Sequence, residues 1–518
     1  MQDDHITPMP ADAVAVIGAG PAGLAAAAWL SRHGLAPVLF EASDAVGGQW
    51  NASAPTSATW PGMRTNTSRV LTAFSDLDHP DGTPTYPTRE AMHGYLARYA
   101  EATGVARRIR FRTRVARLER AEAGWLVVSA TDGAERRDVF PRVVVATGRH
   151  THPRVPAIPG LRTFSGALGV AHTAAYDGPA RYRGATVVVA GCSISALEIA
   201  SEIALNGGRV VTAQRRQRYV LPKLIGGVPT DHVMFNRAAA LAGERLPPEA
   251  VAGGLKAAVL RAAGSPAQYG ADAPADNIFA AGITQSQHYL PAVADGRITV
   301  RPWIETVEGR TIRFLDGRTT DADALLLGTG YGPSLPFLAP DLAGTLGAAS
   351  GDLDLADHTF HPDLPGLAFV GLYDLVGPYF PVLELQARWV AYTFAGVIPA
   401  PTPADLEAAL ERGRTLRSMG PPPMHALAVL FARRAGVEPD PAAWPDLERS
   451  LLFGPLAPAS FRLDGPDRLP YAAERTALAA ASFGRDGSNA YTAEEASLRD
   501  LVLASPRPGA PEAIRRAG

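Results

Sequence analysis

The residues with the clearest chemical meaning are two glycine-rich turns. The first, Gly18-Ala19-Gly20-Pro21-Ala22-Gly23, follows the apolar run Ala13 to Ile17 and precedes an alanine-rich stretch from Leu24 to Leu30. A short run that is apolar throughout marks a parallel strand buried on both faces, and the stretch beyond the turn reads as a helix stopping near Gly34. Gly18 permits the tight turn, Gly20 lets the backbone approach a pyrophosphate, and Gly23 lets the helix pack close on the strand. Pro21 and Ala22 open that helix, whose free N–H groups and positive dipole end attract phosphate. A second strand, Pro37 to Phe40, ends in Glu41, where a carboxylate can accept from ribose hydroxyls. The implied chemistry is dinucleotide binding.

The same grammar returns later. Thr186 to Ala190 is an apolar strand, Gly191-Cys192-Ser193-Ile194-Ser195-Ala196 is the turn, Leu197 to Leu205 is helical, and Arg209 to Ala213 is a second strand. Ser193 replaces the middle glycine, so its side chain must turn away from the phosphates or hydrogen-bond to one. The second strand runs into Gln214-Arg215-Arg216 rather than an acid. A carboxylate there would repel a 2′-phosphate that an arginine grips, so NADPH is expected over NADH. A solvated basic strand end would carry the same residues. Gly47-Gly48-Gln49-Trp50 offers another close backbone approach, and a turn ahead of a core tryptophan would read the same way.

Composition limits the partners. The 518 residues carry 49 basic and 51 acidic side chains, and 47% are hydrophobic, as expected of a globular protein with two or more domains. No Lys/Arg block marks nucleic-acid binding. The single cysteine, Cys192, excludes an internal disulfide framework and a dithiol redox centre. The N-terminus lacks a signal-peptide pattern, and no apolar run reaches the ~20 residues of a membrane span, so a cytoplasmic protein is expected. Histidines are scattered, which argues against a metal site, and no Ser/His/Asp arrangement is evident.

Further segments fall in a telling order. Thr65-Asn66-Thr67-Ser68 precedes Phe74-Ser75-Asp76, and Arg142 to Ala146 forms a strand ending in Ala146-Thr147-Gly148. Asp323, Gly328-Thr329-Gly330-Tyr331 and Pro336 follow the second turn. Glu384-Leu385-Gln386-Ala387-Arg388-Trp389 and Phe453-Gly454-Pro455 with Phe461-Arg462-Leu463 close the series. With the two turns, Glu41 and the GGQW segment, this series resembles the flavin-containing monooxygenase family over residues 12 to about 480. It is similar to the class B flavoprotein monooxygenases, and among them to the bacterial N-hydroxylating type found in secondary metabolism. Three positions depart from the pattern. Gly328 stands where the family has alanine, and Ser193 replaces a glycine. The FxGxxxH fingerprint is reduced to Phe164-Ser165-Gly166, with His172 two residues late and expected at a hinge or in packing.

The resemblance implies an α/β fold of two Rossmann-like domains, with an NADPH domain (166–321) inserted into a discontinuous FAD domain (1–165 and 322–450). A C-terminal extension (451–518) would pack on the FAD domain to about residue 480 and end in a flexible tail. The strand Ala324 to Leu327, like Arg142 to Ala146, is expected to return the chain to the first domain. Residues 238 to 276 are expected to be loops with short helices. FAD and NADPH are the implied cofactors and O2 a substrate. The implied cofactor-binding residues are Gly18, Gly20, Pro21, Ala22, Gly23, Glu41, Gly48, Gln49, Trp50, Arg64, Thr65, Asn66, Val115, Ala146, Thr147, Gly148, Gly191, Ser193, Ser195, Arg215, Arg216, Thr329, Gly330, Tyr331, Glu384 and Gln386. In the family, NADPH reduces FAD, oxygen adds at flavin C4a, and the resulting hydroperoxide oxygenates a nucleophile. Asn66 matches the asparagine that the family places beside the flavin ring; its amide donates and accepts without titrating. Lys223, Arg237, Gln285 and His288 are candidate substrate residues, suited to an anionic amino acid; Lys223 and Arg237 share a family-like segment with Asp231. The leading expectation is N-hydroxylation of an amine or amino acid. S-oxygenation, Baeyer–Villiger oxidation and an uncoupled NAD(P)H oxidase or flavin reductase are the alternatives. The family also implies a possible homodimer.

Overall fold

A computed structural model of the chain describes residues 6–348, 351–417 and 420–504. Its frame is two parallel five-stranded sheets. The first is ordered Leu367–Phe369, Arg142–Val145, Ala13–Ile17, Ala36–Phe40, Ile109–Arg110, and the second Gly169–His172, Ala324–Leu327, Thr186–Ala190, Arg209–Gln214, Ile298–Pro302. In each sheet the strand before the glycine turn lies between the strand ending in the nucleotide-specificity residues and a strand ending in a Thr-Gly pair. Each sheet is covered by a helix springing from its turn, Pro21–Arg32 in the first and Ile194–Leu205 in the second. Proline at the first helical position costs nothing there, because that N–H has no partner within a helix.

This topology corrects one expectation. Ala324–Leu327 pairs with Thr186–Ala190 and Gly169–His172, so it belongs to the second sheet and does not return the chain to the first. It is the second unit's counterpart of Arg142–Val145, which does pair with Ala13–Ile17. Apolar strands with the same ending look alike in sequence whichever sheet they join. The crossing comes later, where Tyr331–Gly332 runs antiparallel to His152–Pro153. His172 sits at that crossing: its Nε2 lies 3.1 Å from Gly330 O and its ring 4.9 Å from that of Tyr331.

Packing of the first unit rests on small residues. Ala25 to Ala28 are buried on the helix that lies against Phe380–Ala395, a helix with nearly every side chain inside. Alanine lets two helices approach closely, while Trp29 fills the space at their end. Trp29 is surrounded by three guanidinium groups, with Arg32 4.5 Å and both Arg388 and Arg462 4.9 Å from its ring.

Two further stretches depart from expectation. Pro248–Ala263 is a 16-residue helix, although its Gly253-Gly254 pair argues for a loop. Beyond residue 484, Ala493–Leu503 is helical and opens with a capping box between Thr492 and Glu495. It packs on Arg237–Arg245 of the inserted region, while Arg462 and Arg475 tie the extension to Asp76 and Ser75 of the first domain. The expected tail from 505 onward lies outside the described residues.

Candidate active site

The first cradle is built from backbone that tolerates no side chains. A methyl group on Gly18 would lie 2.6 Å from Ala146 O, and one on Gly23 would overlap Gly18 O. Gly18 adopts φ +106°, a region that favours glycine. Gly48 comes so near that a methyl on it would stand 3.0 Å from Gly20 Cα. The GGQW segment therefore runs directly across the phosphate turn. Ala19 N–H donates to Glu41 Oε2 at 2.8 Å, and the Ser43 N–H and Oγ–H donate to Oε1 at 2.8 and 2.7 Å. A carboxylate has about four acceptor sites. Three are filled within the chain, leaving one for a ribose hydroxyl. Thr113 N–H bonds Glu41 O at 2.8 Å, which sets Val115 beside the same strand end.

Two buried polar atoms at this cradle have no partner among the described residues: Thr147 Oγ1 and Asn51 Nδ2. Burying a polar group without a hydrogen bond costs ~1–3 kcal/mol, so such atoms belong where a polar ligand docks. Thr147 follows Ala146 at the strand end, and Asn51 follows Trp50. Glycine clearance, a spare acceptor on Glu41 and two orphaned polar atoms together fit a dinucleotide such as FAD. Asn51 was not among the expected residues; its position after GGQW was the signal. Gln49 is exposed, whereas Trp50 is buried in the main core. Arg64 is exposed and donates to Tyr86 O at 3.3 Å.

The second cradle repeats the first with one exchange. Gly191, at φ +136°, crowds Gly328 O as Gly18 crowds Ala146 O. In the first unit the helix carries Gly23 and the strand end Ala146; in the second the helix carries Ala196 and the strand end Gly328. A methyl on Gly328 would lie 2.6 Å from Ala196 Cβ. The departure at 328 thus offsets the alanine at 196. Ser193 is the helix N-cap, and its hydroxyl makes no hydrogen bond within the described residues, so it can bond a phosphate. Ser195 is half-buried in the same first turn. Arg215 and Arg216 are exposed at the strand end. The Arg215 guanidinium lies 4.7 Å over the Trp303 ring, and Arg216 donates to Ala280 O at 2.8 Å. Stacking on Trp303 orients the Arg215 fork, a contribution the sequence gave no reason to expect. Burial pushes the Cys192 thiol up, so it stays protonated. Thr329, Gly330 and Tyr331 end the second sheet, and Thr329 Oγ1 donates to Arg154 O at 2.5 Å. They stand with the second turn and the domain crossing.

Glu384 and Gln386 lie deep inside the chain. Glu384 accepts from Ser75 N–H at 2.8 Å and from Ser75 Oγ, with Arg462 beside it. Gln386 accepts from Gly371 N–H and donates to His358 O, Thr359 Oγ1 and Phe369 O. Both are buried and bonded inside the chain, so they hold the fold together.

Of the four candidate substrate residues, Lys223 and Gln285 are neighbours, because Leu221 pairs with Gln285, whereas Arg237 is turned into the core. Lys223 Nζ is 2.7 Å from Glu198 Oε2, and its backbone carbonyl accepts from Tyr86 Oη. Arg237 is buried, donates to Leu451 O at 2.6 Å and lies 3.8 Å from Glu438. Gln285 reaches Pro222 O at 3.5 Å, and His288 is exposed. Two cations expected to meet a substrate are neutralised by carboxylates that lie far away in sequence.

Asn66 lies half-buried on a first-domain loop that contacts the inserted domain. Its amide makes no hydrogen bond within the described residues. Around it, Thr65 N–H bonds Pro87 O, and Ser68 N–H donates to Asp231 Oδ2 of the inserted domain at 2.6 Å. Trp60 packs edge-on against Tyr176 of that domain at 5.8 Å. Among the described residues no group of His, Cys, Asp and Glu could hold a metal, and no helix is long and apolar enough to cross a membrane.

An α/β chain with two dinucleotide cradles joined across one polar loop is a two-nucleotide oxidoreductase. A family model described as flavin-binding monooxygenase-like matches residues 11–419, and the chain belongs to that family. Flavin-containing monooxygenase 5 of Rattus norvegicus is 27% identical over 484 residues, covering 88% of this chain and 89% of its own. The N-oxide-forming dimethylaniline monooxygenase 2 of the same organism is 28% identical over 492 residues, with the same coverage. Among solved structures, S-allyl-L-cysteine S-oxygenase from Allium sativum superposes with TM-score 0.60 at 25% identity, covering 82% of this chain and 88% of its own. A caprolactone-bound cyclohexanone monooxygenase shares the fold with TM-score 0.63 at 20% identity, over 82% and 97% of the two chains. The chain is a flavin-dependent monooxygenase that uses FAD, NADPH and O2 on a small molecule.

Proposed function

We propose that this monooxygenase oxygenates nitrogen in an amine. The observation that carries the reading is Asn66: a half-buried amide with no partner within the described residues, on a first-domain loop that contacts the second nucleotide-binding domain. Bound FAD supplies the oxygen-activating chemistry, with NADPH as its reductant. The chain's task is to hold both nucleotides, keep water out and offer hydrogen bonds whose character does not change with pH. An amide does this, whereas a carboxylate would draw a proton from the reacting centre or lose its own. Glu41, Thr147 and Asn51 hold the first nucleotide; Ser193 and Arg215 hold the second.

The charge balance narrows the substrate. Lys223 and Arg237 already face Glu198 and Glu438, so the stretch once suited to an anionic amino acid offers no free cation from these two. A neutral amine fits better. The 28% identical rat relative is named for N-oxide formation. Sulfur oxygenation is the second reading, favoured by the likeness to the Allium S-oxygenase. The hinge position of His172, bonded to Gly330 O, weighs against the Baeyer–Villiger alternative, because it leaves the disrupted fingerprint in a linker role.

The test is Asn66→Ala, with NADPH consumption, hydrogen peroxide and oxygenated product measured together. Wild type should yield product from an amine with little peroxide, and the variant should bind FAD normally while releasing about tenfold more peroxide per NADPH, the scale of one lost hydrogen bond. Wild type that releases peroxide with every amine and sulfide tried would instead indicate an oxidase. Unchanged coupling in the variant would remove Asn66 from the reaction.

A further inference from the structure

Because Asn66 has no hydrogen bond of its own within the described residues, its position is inherited from the loop that carries it. The first domain fixes that loop through Thr65 N–H to Pro87 O at 2.9 Å and Arg69 N–H to Thr85 O at 2.8 Å. Between those anchors the Thr65 and Thr72 hydroxyls hold the Thr67 and Ser68 carbonyls at 2.8 Å from within the first domain, and the inserted domain adds its own hold through the short helix Thr230–Met234. Ser68 N–H donates to Asp231 Oδ2 at 2.6 Å, and Ser68 Oγ lies 3.1 Å from His232 Nε2. Ser68, Asp231 and His232 are each at most 2% exposed. We propose that Asp231 is a positioning residue: its carboxylate grips the Ser68 amide, holds the Asn66 loop against the inserted domain, and so keeps oxygen transfer coupled to NADPH use. The proposal rests on the role given to Asn66 above.

A carboxylate on a backbone N–H makes a bond roughly twice as strong as a neutral acceptor does, and burial removes the competing water. The surroundings keep Asp231 as the one group of the contact that changes charge near neutrality. His232 is pushed down to about 3 by burial, assisted by Arg485 and Arg69, so it stays a neutral partner for Ser68 Oγ. The Phe483 ring covers it edge-on at 5.0 Å, and Arg485 donates to its carbonyl at 2.7 Å. Tyr86, whose hydroxyl is raised by burial and by Asp231, remains protonated. Asp231 itself is raised to about 6 by burial, opposed by the hydrogen bonds from Ser68. Above that pH the grip is charge-assisted; below it the acid is neutral and the grip weakens.

The experiment compares FAD-loaded wild type and Asp231→Asn between pH 5.5 and 8. Peroxide released per NADPH is read with a saturating amine, and hydrogen exchange is read in the peptide spanning residues 64–72, corrected for intrinsic pH dependence. In Asp231→Asn, exchange of that peptide and peroxide release should both rise about tenfold at pH 8, the scale of a weakened charge-assisted bond, and vary little with pH. In wild type, which needs no variant, both should rise as pH falls through about 6. The proposal is overturned if the variant's exchange rises while coupling is unchanged, if neither changes, or if the wild-type profiles are flat. Wild type that is uncoupled with every substrate at pH 8 would end the oxygenase reading and this proposal together. A coupled wild type with an equally coupled variant ends the proposal alone.

Discussion

Gly328→Ala tests whether the second cradle compensates for its own helix. The added methyl would lie 2.6 Å from Ala196 Cβ and 3.1 Å from Ala196 Cα. Carbon atoms rest about 3.5–4.0 Å apart, so the helix Ile194–Leu205 must move by about 1 Å or the turn must deform. Overpacking of this kind costs about 1–3 kcal/mol. The damage should reach the ligand as well, because that helix presents its first turn to the phosphates. Ala196→Gly alone creates no clash and costs about 0.5–1 kcal/mol in helix propensity. The double variant restores the first unit's arrangement, with glycine on the helix and alanine at the strand end. Its stability should therefore exceed the sum of the two single effects by about 1–2 kcal/mol, a coupling expected only for side chains in contact. Urea unfolding of the three variants measures the cycle, and equilibrium titration with NADP+ follows the cradle. A neutral Gly328→Ala, or strictly additive effects, would refute the exchange of glycine and alanine between helix and strand end.

Three further outcomes follow from the same contacts. Arg215→Ala should raise KM for NADPH by about 1–3 kcal/mol of lost binding while leaving NADH nearly unchanged, and equal effects on both would end the 2′-phosphate assignment. Arg237→Ala should destabilise the protein by about 3 kcal/mol, because a buried carboxylate at Glu438 loses a partner; Arg237→Met should cost less, and a changed KM without loss of stability would return Arg237 to the substrate site. For Asp231 the sign is set by its raised folded value, about 6 against an ordinary 3.8. The folded protein therefore holds a proton that the unfolded chain releases between those two values, so this group's stability contribution is fully present below 3.8 and lost as pH rises through 6. Asp231→Asn, which cannot ionise, should be more stable than wild type at pH 8 by about 1–3 kcal/mol and equal to it near pH 4, measured by urea midpoints. A variant that is more stable yet leaks more peroxide separates positioning from structure.

Both glycine turns, their strands and Glu41 were legible because each signal is local: an apolar run, a turn that only glycine fits, a charge at the strand end. Ala324–Leu327 was not assignable to its sheet, since the strand's own residues say that it is buried and nothing about its neighbour. Glu384 and Gln386 belong to a recognisable motif, but their partners Ser75, Arg462, Thr359 and Gly371 are distant in sequence and turn them inward. Lys223 and Arg237 were misread for the same reason. A cation in a polar run looks free until the fold brings Glu198 or Glu438 to it. The helix at 493–503 was an avoidable miss, because the Thr492–Glu495 capping box is written in the sequence.

These corrections share a direction that bears on how the site works. Polar side chains of the stretch from Lys223 to Arg237 are spent on contacts within the molecule: Lys223 on Glu198, with the Tyr86 hydroxyl on its carbonyl, Arg237 on the extension, and Asp231 on the loop at Ser68. Each tie satisfies a group that would be costly to bury alone, and the Tyr86–Lys223 and Ser68–Asp231 contacts restrain the inserted domain against the first. Asn66 lies inside that web without a tie of its own among the described residues. A restrained loop presenting one non-titrating amide without an intramolecular partner among the described residues suits a task in which donors and acceptors must already be in place when the ligand arrives. If the amide had an internal partner, that bond would have to break during every turnover. Its freedom and the rigidity around it are therefore two halves of one device, and loosening the ties should harm coupling before it harms folding.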